Sequence, residues 1–202
     1  ITGKGGHGAH PHGTIDPVVC AAQMTMGFQT IISRNINPFD AGVVTVTQIH
    51  AGDADNVIPQ TATVRGTTRA FLPEVREKIE ERMQEIMTHT AAAHGCTAEL
   101  TIYDGTQPVH NDPEVANKVR EAIQPLLDEP IVLTERTTGA EDMGYFLNEI
   151  PGAFFFVGSA NSDAGLDYGH HHPRFDFDER SLSLSVSLMT AAAAAYVLPE
   201  SD

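Results

Sequence analysis

Ala62-Thr63-Val64-Arg65-Gly66-Thr67-Thr68-Arg69-Ala70-Phe71 is the stretch on which the fold turns. Its residues alternate with period two. Arg65, Thr67 and Arg69 share one face and Val64 and Gly66 the other, which predicts a strand. Pro73 follows and opens a helix with Val75, Ile79, Met83, Ile86, Thr90 and Ala93 as its inner stripe, ended by Gly95. Ala98 to Tyr103 reads as a further strand. Upstream, Val43 to Ile49 is β-branched and extended, and Ala51 to Gln60 is a turn-rich connection. Asp16-Pro17 marks an earlier helix start, with Asp as N-cap and Pro at the first helical position. Val18, Ala21, Met24, Phe28, Ile31 and Ile32 then form one helical face. Ile1 to Ala9 reads as a strand ending in a glycine-rich turn. The order is β-α-β-β-α-β, the split pattern of a ferredoxin-like α+β domain.

The second half has another grammar. Tyr103 to Asn111 is a linker, dividing the chain into domains 1–108 and 109–202. Asp112-Pro113 caps a helix to about Leu127. A strand is predicted at Ile131 to Thr137, a short helix at Ala140 to Ile150 and an apolar strand at Ala153 to Val157. Ser159 to Pro173 is a long loop, and Asp178-Glu179 starts a last helix to about Leu198. The strands are short and apolar enough for a parallel sheet buried on both faces. Two strands make a poor sheet by themselves, so this half reads as an α/β segment of a larger domain.

Composition narrows the partners. The formal net charge is -15, from 12 basic and 27 acidic residues. Nucleic acid and anionic membrane are repelled, which excludes both as partners. No apolar run is long enough for a membrane span. The alanine-rich stretch Leu184 to Leu198, broken by serines, reads as a buried amphipathic helix. Cys20 falls in a helix pattern and Cys96 at the start of a strand. This favours a reduced, cytoplasmic setting over a disulfide framework. No secretory signal is visible. Ile1 lies inside a strand, so the true start is expected upstream.

Several clusters have the residue types of an active site. Gly5-Gly6-His7-Gly8-Ala9-His10-Pro11-His12 sets three histidines among glycines that allow close backbone approach. In His170-His171-His172-Pro173 the outer two histidines share one side of an extended segment. Spacing alone therefore favours that pair, or a single one of the three, as metal ligands; a plain polar loop is the alternative. Asp176, Asp178 and Glu179 follow, either orienting a histidine or forming a solvated turn and helix cap. Thr138-Gly139-Ala140-Glu141-Asp142 joins a strand end to a helix start. It suits an anion, although the acids also suit the helix dipole. Arg69 projects from a strand and can grip a carboxylate with two parallel hydrogen bonds. Asn56 sits in a loop ending at Pro59.

These motifs occur in an order that resembles the aminoacylase-like metallopeptidases. The residues are Gly3 to His12, Asp16-Pro17, Asn56-Val57-Ile58-Pro59, Arg65-Gly66-Thr67-Thr68-Arg69, Gly139-Ala140-Glu141-Asp142 and His171-His172-Pro173-Arg174-Phe175-Asp176-Phe177. The closest branch is the amidohydrolases of hippurate, indole-acetyl-amino acids and other N-acyl amino acids. The resemblance implies a lid and dimerisation domain followed by the C-terminal part of a catalytic domain that uses two divalent metals, Zn or Mn. It implies that His7 reaches into the partner's site of a homodimer to stabilise an oxyanion. His171 is implied as the metal ligand, against the spacing argument. Asn56, acting across the dimer, and Arg69 are implied to hold the substrate carboxylate, with Gly139 in the pocket wall. His10 and His12 have no implied role. The family's other ligands and its general base come from a segment before the lid, absent from these 202 residues. The chain alone is therefore expected to be inactive. The competing reading is a non-catalytic ferredoxin-like dimerisation module, which needs neither His7 nor His171.

Overall fold

Asp16 starts the first long helix as expected. Its carboxylate accepts the N–H groups of Val18 at 2.8 Å and Val19 at 3.4 Å, and Pro17 holds the first helical position. The cap satisfies donors that the helix leaves orphaned. This helix, α1 (Pro17–Asn35), buries Cys20, Ala21, Met24, Phe28 and Ile31, while Val18 lies at the surface. The computed structural model describes residues 1–103, 105–132 and 137–198. These fall into two compact units, 1–104 and 105–202.

In the first unit, β1 is Gly6–His7, β2 Gly42–Ala51, β3 Val57–Ile58 and β4 Ala62–Ala70. The strands β2 and β4 pair antiparallel from Gly42 opposite Ala70 to Ala51 opposite Ala62, with a register shift between Val46 and Gln48. The two-residue strands β1 and β3 pair separately, Gly6 with Ile58 and His7 with Val57. Helix α2 (Pro73–Ala93) buries Val75, Ile79, Met87 and Ala91. Thr90 and Ala93 are thus replaced in the inner stripe by neighbours, as a 3.6-residue turn drifts over six turns. Gly95 ends α2 at φ +70°. Its N–H bonds Ala92 O at 3.1 Å, and Cys96 N–H bonds Ala91 O at 2.9 Å. Only glycine adopts this left-handed closing geometry without strain. The core joins α1, α2 and the β2–β4 ribbon through Met24, Phe28, Ile31, Val44, Ile79 and Met87.

Two expected strands form only in small part or not at all. Thr2 bridges both Thr61 and Thr97, Lys4 bridges Ile15, and only Gly6–His7 of the first segment is a strand. Four glycines in eight residues supply no side chains to pack and weaken a ladder. Ala98 to Tyr103 is not a strand, although Ala98 and Leu100 pack on the core at alternate positions. In the antiparallel register of Thr2 with Thr97, Ala98 falls opposite Ile1. In that register Glu99 onward has no residue of this sequence opposite it.

The second unit holds α3 (Pro113–Ile123), α4 (Met143–Leu147) and α5 (Arg180–Val197). Asp112 caps α3, accepting from Glu114 N–H at 2.9 Å and Val115 N–H at 3.0 Å. The expected helix from Ala140 to Ile150 is only the short α4. The last helix starts at Arg180. A parallel sheet is not found: among the described residues of this unit no strand forms. The strand expected at Ile131 to Thr137 lies partly outside the described residues. Ala153 to Val157 lacks a neighbouring strand. Instead the Asn111 side chain pairs with it, donating to Phe154 O at 2.8 Å and accepting Phe154 N–H at 2.7 Å. Phe155 and Val157 pack inward against Ile123 of α3 and Leu188 of α5. The expectation of a buried last helix holds for one face only: Leu184, Leu188 and Ala192 face α3, whereas Met189 is 61% and Val197 76% exposed. No helix among the described residues is long and apolar enough to cross a membrane.

Candidate active site

The glycine-rich corner brings two of the expected residues together. β1 pairs with β3, so His7 stands opposite Val57, and Gly8 N–H bonds Asn56 O at 2.7 Å. A Cβ on Gly8 would stand 3.1 Å from that oxygen, so the close approach favours glycine. The exposed His7 ring accepts the Ala9 N–H at Nδ1, 3.1 Å away. An accepting Nδ1 carries no proton, so the neutral ring keeps its N–H at Nε2. His7 and His10 stand 5.5 Å apart by ring centroids, and His10 and His12 6.1 Å. Among the described residues no group of three or more histidine, cysteine or acidic side chains is arranged for a metal ion. The three-histidine cluster is thus not a metal site by itself.

Arg69 lies elsewhere in the same unit. It is exposed on β4 opposite Val43, and its Nη1 donates to Thr68 O at 2.7 Å and to the Thr67 hydroxyl. The N-terminal segment that leads into β1 touches the start of β4 at Ala62, whose N–H bonds Ile1 O at 3.0 Å. Arg69 stands seven positions further along β4, about 24 Å at the rise of an extended strand. His7 and Asn56 therefore gather at one end of the ribbon and Arg69 at the other.

In the second unit the three consecutive histidines are sorted by their backbone. His172 N–H bonds Gly169 O at 3.2 Å, closing a turn with His171 at its third position. His171 has φ 67°, the only left-handed non-glycine among the described residues. Such a conformation is strained for a side-chain-bearing residue and recurs at functional positions. The neighbours are engaged. His170 packs edge-on to Phe175 at 4.9 Å, and His172 stacks on Tyr168 at 4.5 Å while its Nδ1 accepts Arg174 N–H at 3.1 Å. The exposed His171 ring has no partner among the described residues. Gly139 makes a local loop contact, its N–H donating to Thr137 Oγ1 at 3.2 Å.

A knot at the base of the His171 loop was not foreseen. Asp178 N–H bonds Ser159 O at 2.9 Å, and the Asp178 carboxylate accepts Asn161 Nδ2 at 2.7 Å and Arg180 Nε at 2.9 Å. The Arg180 hydrogen bonds, aided by Asn161, hold the Asp178 carboxyl well below the usual carboxylate range. Asp178 thus orients no histidine; it ties the two ends of the loop. The acidic run after the histidines hinted at a cap, but Asn161 gave no signal as its partner.

A glycine corner carrying His7, a ribbon carrying Arg69 and a strained turn carrying His171 belong to a peptidase-type chain. It matches peptidase family M20/M25/M40 over residues 6–195, and it belongs to that family. It is 37% identical to N-acetyl-L-cysteine deacetylase of Bacillus subtilis, covering 90% of this chain and 42% of the relative. It is 34% identical to IAA-amino acid hydrolase ILR1-like 2 of Arabidopsis thaliana, covering 98% and 45%. The solved Bacillus subtilis YXEP protein, described as a dinuclear metal-binding peptidase of this family, superposes with a TM-score of 0.68 at 32% identity, covering 91% and 46%. The chain spans about half the length of the curated relatives it matches.

Proposed function

We propose that this chain is the lid and C-terminal catalytic part of a metal-dependent amidohydrolase that cleaves the amide bond of N-acyl amino acids. The observation that carries the reading is the pair of exposed histidines, His7 and His171, each set by backbone geometry in a chain of this peptidase family. A dimerisation module needs neither. In this reading the first unit is a ferredoxin-like lid. The succession Thr97, Thr2, Thr61, continued by β4 and β2, supports that topology. The lid pairs two copies into a cytoplasmic homodimer.

The residues take these roles. His7 Nε2–H donates to the carbonyl oxygen as it gains charge, a term worth about 3–4 kcal/mol for one donor. Arg69 grips the free carboxylate, and Asn56 assists from the other subunit. Their location at opposite ends of the ribbon suits two different active sites better than one. Gly139 lines the pocket wall. His171 is the ligand this chain offers to a two-metal centre of Zn or Mn. One imidazole falls short of the three protein ligands that a catalytic metal needs. The described residues therefore do not make the centre, and in this reading the other ligands and the general base are not among them.

The test is an assay of the 202-residue chain against N-acetyl and N-benzoyl amino acids with added Zn²⁺ or Mn²⁺. No turnover above background is expected. Substantial turnover abolished by a chelator would show that the chain holds a complete centre after all.

A further inference from the structure

The ends of the two long helices bring together two thiols that amide hydrolysis does not use. Cys20 sits in the first turn of α1, under the Asp16 cap, and is 0% exposed; Cys96 closes the glycine cap of α2 and is 7% exposed. One atom ties them. The Asp16 carbonyl oxygen accepts the Cys20 N–H at 3.4 Å and the Cys96 thiol at 3.9 Å. Both cysteines belong to one core cluster. Burial first, and then the neighbouring Cys96, push the Cys20 thiol up to about 11. Cys20 therefore stays protonated in the pair. Both cysteines are free. Each backbone is held at a capped helix end, and both residues touch the same carbonyl oxygen.

We propose that Cys20 and Cys96 are a dithiol site for peroxide, which closes them into an intramolecular disulfide pinning the start of α1 to the end of α2. The site lies in the core of the first unit and stands apart from the hydrolytic reading. Cys96, the more exposed sulfur, loses its proton and attacks one peroxide oxygen. The O–O bond breaks, the departing hydroxide takes up a proton as water, and Cys96 becomes a sulfenic acid. The Cys20 sulfur then attacks the Cys96 sulfur. An S–S bond forms, the S–O bond breaks, and the hydroxyl leaves as water with the Cys20 proton. Two thiols lose two electrons, and one peroxide is reduced to two waters.

The reduced, folded 202-residue chain is treated with hydrogen peroxide, then denatured and alkylated. The expected product is about 2 Da lighter, as loss of two hydrogens requires. It carries no alkylation at either cysteine, runs as a monomer on a non-reducing gel and melts several degrees higher. Dithiothreitol reverses all of this. The variant Cys20→Ala is expected to gain about 16 Da at Cys96 instead, the mass of a sulfenic oxygen, with no rise in Tm. A peptide map of the oxidised wild type, which must contain Cys20 joined to Cys96, decides the matter even if that variant does not fold. Two alkylated cysteines after peroxide, or cross-links formed only between chains, would overturn the proposal.

Discussion

The two units solve the burial problem to different extents. The first closes around ten buried side chains contributed by two helices, a two-stranded ribbon and a cap residue. The second, among its described residues, closes around three, Ile123, Leu188 and Ala192, and leaves the outer face of α5 apolar and exposed. Each starts its first long helix, α1 or α3, with the same device, an aspartate on two backbone N–H groups before a proline. Local chemistry is therefore equally good in both; what differs is the number of layers packed against it. A helix gains most of its stability from packing rather than from its caps. The difference teaches that correct local signals do not make a self-sufficient core.

The largest effect should come from cutting the chain at the linker. Residues 1–104 alone are expected to unfold in one cooperative transition by circular dichroism. Residues 105–202 alone are expected to melt without one, since so small a core rarely outweighs chain entropy. Equal cooperativity in both halves would erase the contrast.

A smaller effect separates two matched truncations. Ile79→Ala removes a side chain packed on every side, so urea unfolding should show a loss of about 2–5 kcal/mol. Leu188→Ala has the same chemistry, but most of the side chains around it are only partly buried, so its site can collapse around the deletion. Its cost should lie at or below the low end of that range. A larger cost for Leu188→Ala would mean that the second unit is better packed than its core cluster implies.

The smallest effect concerns the knot at Asp178. Its folded carboxyl titrates below its unfolded value, so its contribution is present above the ordinary carboxylate range, near pH 4. It is lost as pH falls through the lower folded value. Protease resistance of the loop from Ser159 to Asp178 should therefore hold at pH 5 to 7 and decline in stronger acid. Asp178→Asn should make the loop labile already at neutral pH and flatten that dependence. An unchanged acid profile in Asp178→Asn would remove the knot from the account.

What the sequence made legible follows the same division. Asp16-Pro17, the stripe of α1 and the alternation of β4 all lie within one or two turns or rungs, so local pattern reveals them. Ala98 to Tyr103 and Ala153 to Val157 carry strand-like residues, but a strand needs a neighbour, and no local pattern reports whether one is there. The α5 helix shows the same limit: its apolar residues are visible, but which of its faces finds a partner is not. At the site, spacing left three histidines open, and the left-handed turn at His171 is what separates them. Alternation placed Arg69 on a strand face. Only the register shows it standing at the far end of the ribbon from His7 and Asn56. The meeting of Cys20 with Cys96 depends on two helix ends converging and left no trace in their spacing.

The central claim is that His7 serves the active site of the other subunit while His171 serves its own. The direct test uses the longer enzyme, this chain together with the segment supplying the remaining ligands, in two inactive variants, His7→Ala and His171→Ala. Mixed and allowed to exchange subunits, half of the dimers become hybrids, each holding one intact composite site. The account predicts recovery of about a quarter of wild-type activity, the statistical share for a C2 dimer. If hybrid dimers form and activity stays at the level of the separate variants, His7 acts within its own subunit or not at all.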